Sequence, residues 1–162
     1  MRSIGLAAML MLGAATPLRA DPPEPKCLVP SHSWDGVEAL TAGPPAASPS
    51  VTVGKPAMVA LADAAQVRFV VPLGKPVSAG DKGGIVSLHV AEAGTYRIAL
   101  QRKAWIDVVR DGKALASVAH THGAPCSGIA KMVDFALAPG DYAIQLSDTA
   151  DATIGLSVTK QP

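Results

Sequence analysis

The sequence predicts an all-β fold, an antiparallel β-sandwich or jelly roll with an irregular Pro-rich N-terminal arm, and three observations carry that reading. Apolar residues alternate one-for-one with polar ones over several short runs. Gly- and Pro-containing turns punctuate these runs at intervals of about 8 to 12 residues. No amphipathic helical period follows the first 20 residues. With 49% hydrophobic, 17% charged and 4% aromatic residues, the composition excludes a disordered tail, a coiled coil and a basic nucleic-acid binder.

Residues 1–20 have the layout of a secretory signal peptide. Met1 and Arg2 make a positive start, Ile4 to Ala15 is apolar or small, Pro17 breaks the run, and Ala20 precedes Asp21. Cleavage after Ala15 is the alternative. The apolar run is shorter than the roughly 20 residues a membrane span needs, and no later segment is longer. The expected localisation is therefore periplasmic or secreted, with no membrane span in the mature chain. The 14 Lys plus Arg, less Arg2 and Arg19, leave 12 basic against 13 acidic residues, so no electrostatic partner is implied.

Residues 21–56 form the expected arm: eight of the 14 prolines fall between Pro22 and Pro56, around Gly43-Pro44-Pro45 and Pro49. Cys27 lies in it, and Cys126 is the only other cysteine. An exported chain with two thiols is expected to form one disulfide, Cys27 to Cys126; two buried thiols are the alternative. Closing a loop of about 100 residues would stabilise the fold by roughly 4 to 5 kcal/mol from chain entropy.

Residues 57–162 form the expected sandwich domain. Candidate strands run over Ala57 to Leu61 and Val67 to Val71. Gly80-Asp81-Lys82-Gly83-Gly84 reads as a mobile turn. Val86, Leu88 and Val90, a turn at Glu92-Ala93-Gly94, then Tyr96, Ile98 and Leu100 read as a hairpin with one apolar face. The scheme returns 46 residues later, measured from Gly94 to Gly140: Val133, Phe135 and Leu137, a turn at Ala138 to Asp141, then Tyr142, Ile144 and Leu146. Two similar hairpins in facing sheets are expected, with Gln145 on the outer, solvent side, where truncation costs little. Between them Ile106 to Arg110 leads into the hairpin turn Asp111-Gly112 and on to Leu115 to Val118, and Thr153 to Val158 supplies the last strand.

At the Gly-x-Tyr strands and the segment Trp105 to Gly112, the sequence resembles the bacterial pre-peptidase C-terminal domain, over roughly Val86 to Val158. It also resembles a group of small exported bacterial proteins that share Trp-Ile-Asp-Val, Cys-x-x-Ile-x-Lys and Pro-Gly-x-Tyr elements. Here these stand at Trp105 to Val108, Cys126 to Lys131 and Pro139 to Tyr142. Members of that group are sometimes labelled homogentisate 1,2-dioxygenase. The first resemblance implies a jelly-roll module of exported proteins. The label implies an iron site of two His and one carboxylate.

His120 and His122 are the candidate metal ligands, since residues two apart on an extended strand point the same way. His89 and His32, with Asp107 or Glu92, are candidates to complete the set. The Glu that a cupin places shortly after His-x-His is replaced here by Gly123-Ala124-Pro125-Cys126. Ser127, His120 and Asp134 supply the residue types of a hydrolytic triad without the nucleophile elbow. Trp34 and Trp105 are ligand platforms or core edges. Lys131 and Arg97 are expected to be solvated charges on polar faces.

No catalytic residue or cofactor site is expected beyond a divalent metal at His120 and His122. The expected function is an exported, non-catalytic β-sandwich module that binds a partner, a glycan or a surface, with the identity of the exported or cell-surface partner left open. The alternative is a small His-x-His metalloprotein, dioxygenase-like as the label implies.

Overall fold

The computed structural model describes residues 34–162. The expected export signal, Cys27, His32 and the first part of the arm lie outside the described residues. Among the described residues twelve strands build two packed sheets. The first sheet takes β1 (Glu38–Thr41), β3 (Ala57–Ala60), β12 (Thr153–Lys160), β6 (Gly94–Leu100), β10 (Lys131–Leu137) and β9 (Ala119–Thr121), in that spatial order. The second takes β2 (Ser50–Val51), β5 (Lys82–Val90), β11 (Gly140–Thr149), β7 (Trp105–Arg110) and β8 (Lys113–Ala114), with β4 (Ala62–Asp63) also on β5.

The inward phase follows the sequence. Val86, Leu88, Val90, Tyr96, Ile98, Leu100, Val133, Phe135, Leu137, Tyr142, Ile144 and Leu146 all lie in one buried core, joined by Ile154, Leu156 and Val158 of the last strand. Alternation puts every second side chain on the same face, so one face of each of these long strands is apolar and buries against the other sheet. The Asp111-Gly112 turn also forms as expected, both residues at positive φ (51° and 70°) between β7 and β8.

The expected hairpins do not form. β5 lies in the second sheet and β6 in the first, and β10 and β11 divide in the same way. Each pair is therefore an arch that crosses from one sheet to the other. An arch and a hairpin carry the same alternation; in the arch the two apolar faces meet each other directly. Partners come instead from the other copy. β5 runs antiparallel to β11 with Leu88 opposite Tyr142, and β6 runs antiparallel to β10 with Tyr96 opposite Phe135. The two copies thus clasp each other about the centre of the core.

Both arches are closed by their tyrosine. The Tyr96 hydroxyl donates to the Glu92 carbonyl at 2.8 Å, and the Tyr142 hydroxyl to the Ala138 carbonyl at 2.7 Å. Each donor lies four residues past its acceptor, a local clamp of the kind known as a tyrosine corner. Tyr142 also accepts from the Arg110 guanidinium at 2.9 Å.

Other expectations need correction. The sheets are mixed: β1 runs parallel to β3, and β2 parallel to β5. The described part of the Pro-rich arm is not merely irregular, because β1 and β2 extend both sheets and Val51 enters the core. Its prolines interrupt the chain between these strands and leave short extended pieces free to pair at sheet edges. Lys82-Gly83-Gly84 opens strand β5. A Cβ on Gly84 would stand 2.3 Å from that of Ala42, so this glycine serves a close approach of two backbones and not a mobile turn.

Val67 to Val71 is not a strand. It belongs to an excursion over residues 64–81 that packs on the outer face of the second sheet, where Gln145 is fully buried. The Gln145 side-chain Oε1 accepts from the Val70 and Val71 backbone amides, at 2.5 and 3.1 Å, and its Nε2 donates to the Val71 carbonyl at 3.3 Å. A polar residue on the outer phase is thus a buried clamp, because a non-strand segment covers that face. Ser147 lies two residues along on the same side, fully buried, and its hydroxyl has no hydrogen-bond partner among the described residues.

Candidate functional site

One side of the sandwich stays open between the two sheets. In the second sheet, β8 pairs with β7 only at Val109 and Arg110, which leaves residues 105–107 of β7 without a neighbour on that side. In the first sheet, β9 covers β10 only over Met132 to Asp134. The segment from Leu115 to Val118 crosses between the edges, held at one end by the Leu115 amide on Val108 and at the other by the Val118 amide on Asp134. Beneath this strap lies a cleft of about 430 Å³, within the usual size range of small-molecule sites.

Its floor is apolar, made by Ile106, Leu115, Val133 and Phe135. Its rim is polar, with Trp105, Asp107, Ser117, His120 and Lys131. Lys131 opens β10 opposite Leu100, in step with Val133 and Phe135, so it continues the inward phase of that strand. Its ammonium reaches across the open edge, donates to the Ala104 carbonyl at 2.8 Å and stands 5.0 Å from the centre of the Trp105 ring. The Trp105 indole donates to one Asp107 oxygen at 2.9 Å, and the Gly74 amide to the other at 3.1 Å. A Cβ on Gly74 would stand 2.8 Å from that carboxylate, so glycine lets the excursion approach this closely.

Burial pushes the Lys131 pKa below the ordinary lysine value, and the nearby Lys75 charge adds to the effect, against the opposing Asp148 and Asp107 carboxylates. Lys75 and Asp148 pair with each other. Asp148 sits at φ 53° in a bulge of β11, where the register with β5 shifts between Leu146 and Thr149. Bulges of this kind re-aim side chains at sheet rims.

The structure separates the residues that the metal reading combines. His120 stands opposite Val133 on β9 and faces the cleft, while β9 ends at Thr121 and His122 does not line the cleft. Strand alternation therefore does not extend over both imidazoles. His89 lies on β5 beside Asp141 at 2.7 Å, Glu92 pairs with Lys160, and Asp107 is engaged by Trp105 and Gly74. Among the described residues no three His, Cys, Asp or Glu side chains gather as a metal would require.

The hydrolytic set is equally dispersed. Asp134 is gripped by Arg97 through two bonds of 2.8 Å, which hold the guanidinium pKa above its ordinary value, and the Ser127 hydroxyl bonds within its own turn to Ile129. Arg97 is thus half of an ion pair and not a free surface charge. Trp34 is buried against Gly155 and donates to the Gly128 carbonyl at 2.8 Å, which makes it a core edge. Cys126 is not a free thiol, and its expected partner Cys27 lies outside the described residues.

Lys131 is not the solvated charge that a polar face predicts: two steps back from Val133, it stands in the inward phase of β10. Its pairing with Trp105 joins strands 26 positions apart in different sheets, and no local pattern signals that. Fold and cleft define a small β-sandwich with a half-polar cleft at one open edge. Compared with known protein families and with curated proteins, the chain finds no match. Among the described residues no helix is long and apolar enough to cross a membrane.

Proposed function

We propose that the chain is an exported, non-catalytic binding module, and that the edge cleft on β7, β9 and β10 is where its ligand sits. The observation that carries this reading is the cleft itself: an apolar floor under a rim of Trp105, Lys131 and His120. Few polar groups over an apolar base orient a ligand, which is what recognition needs. The polar groups here are not coupled as a nucleophile and base: Asp107 already accepts two bonds, and among the described residues no ion pair joins His120 to a carboxylate. Export through residues 1–20 and a Cys27–Cys126 bridge belong to the same proposal. The resemblance to exported pre-peptidase C-terminal-like modules belongs to the same proposal, and the dispersal of His89, His120 and His122 gives the oxygenase label no support.

A fragment screen by NMR on the signal-free chain tests the reading. Hits are expected to shift the Trp105 indole N–H and the amides of Ser117, His120 and Lys131, leaving the Trp34 indole in place. Hits clustered elsewhere on the surface would refute it. Export is tested separately, by locating the processed chain after fractionation and reading its mass and new N-terminus.

A further inference from the structure

We infer that the cleft recognises a small amphipathic monocarboxylate, its anionic head on Lys131 and its apolar body on Ile106, Val133 and Phe135. This deepens the preceding proposal and rests on it. The observation behind it is a contrast among the cations. Among the described residues the partly buried Lys82, Arg97 and Arg110 each pair with a carboxylate, and the other cations outside an ion pair, Lys55, Arg68, Arg102, Lys103 and Lys113, are exposed. Lys131 is half-buried, and among the described residues no carboxylate forms an ion pair with it. Placing a cation in a partly desolvated site is costly unless a counter-charge or strong hydrogen bonds compensate. The Ala104 carbonyl and the Trp105 face supply part of that compensation. An ammonium has three N–H donors, and the Ala104 carbonyl takes one of them, so donor capacity remains on the side that lines the cleft.

The cation that lines the cleft, Lys131, favours an anion at this point over a cation. Lys75 is paired with Asp148, so that carboxylate is already engaged. Asp107 is occupied by the Trp105 indole and the Gly74 amide, and it keeps only 7% exposure. His120, on the facing edge, offers an imidazole to the same region. Behind the head, the floor offers only aliphatic and aromatic surface, which suits an alkyl or aryl chain and leaves a second charged or heavily hydroxylated group without partners.

The test compares hexanoate, hexanamide and hexylammonium on the signal-free chain, read by the Trp105 indole N–H with the Trp34 indole as internal control. Hexanoate is expected to shift the Trp105 signal saturably, with hexanamide at least tenfold weaker and hexylammonium without effect. Lys131→Met should weaken hexanoate at least tenfold while Lys131→Arg retains most of the binding. Should Lys131→Met fail to fold, the three-ligand comparison on the unsubstituted chain decides alone. Equal binding of hexanoate and hexanamide would overturn the anion preference and leave the cleft reading intact. No response to any of the three would overturn the monocarboxylate proposal, and the cleft reading would fall with it only if the fragment screen also left the cleft resonances unmoved.

Discussion

Replacing Gln145 by Ala tests the covered outer face of the second sheet. Gln145 is fully buried and its amide makes three hydrogen bonds to the backbone of Val70 and Val71. A buried hydrogen bond contributes about 0.5 to 1.5 kcal/mol net, and a donor left unsatisfied costs about 1 to 3 kcal/mol. Val70 and Val71 keep some solvent contact, so water rescues part of what the substitution orphans. The lost bonds and the small cavity together should cost about 2 to 4 kcal/mol. Urea unfolding reads the loss through the midpoint at unchanged slope, and hydrogen exchange should show the Val70 and Val71 amides unprotected. Gln161→Ala, whose side chain bonds only to Thr159 at the surface, is the control and should cost no more than about 0.5 kcal/mol. Equal midpoints for the two variants, with exchange at Val70 and Val71 unchanged, would refute the clamp.

Four further outcomes are expected. Phe135→Ala, at 2% exposure in the centre of the core, should cost about 3 to 5 kcal/mol in the same unfolding assay. Ser147→Ala should be neutral or stabilise by up to about 1 kcal/mol, because the hydroxyl it removes is buried without a partner among the described residues. Arg97→Ala should cost about 2 to 3 kcal/mol by leaving the buried Asp134 carboxylate uncompensated, and the double variant with Asp134→Asn should recover part of it, measured as a double-mutant cycle. The Lys160 ammonium holds the Glu92 carboxyl below its ordinary pKa of 4.5, so this pair stabilises the fold above that pH and the contribution is lost as pH falls through the lowered folded value. Both groups are solvent-exposed, so Glu92→Gln should only slightly flatten the acid limb of the stability curve.

What the sequence determined by itself is the inward phase of the strands. Alternation is a local property of an extended chain, so Tyr96, Ile98, Leu100, Val133, Phe135, Leu137, Tyr142, Ile144 and Leu146 could be assigned to one core without knowing any partner. The Asp111-Gly112 turn was legible for the same reason, since positive φ is a demand on two adjacent residues. The sequence could not say which sheet each strand joins. A hairpin and an arch share one pattern, and only the long-range pairing of β5 with β11 and β6 with β10 separates them.

Tertiary structure also decided what covers the outer faces. Gln145 and Asp107 sit in polar phase on β11 and β7, and they are buried because the 64–81 excursion, which has no strand period of its own, lies over them. The cleft arose in the same way. His-x-His was the conspicuous local motif, yet β9 ends between its two histidines, whereas Lys131 and Trp105 meet only because β7 and β10 lie at the same open edge of facing sheets. Alternation reports which side of a strand is apolar; it carries no information about which distant segment will lie against that side, and the site is made of such distant meetings.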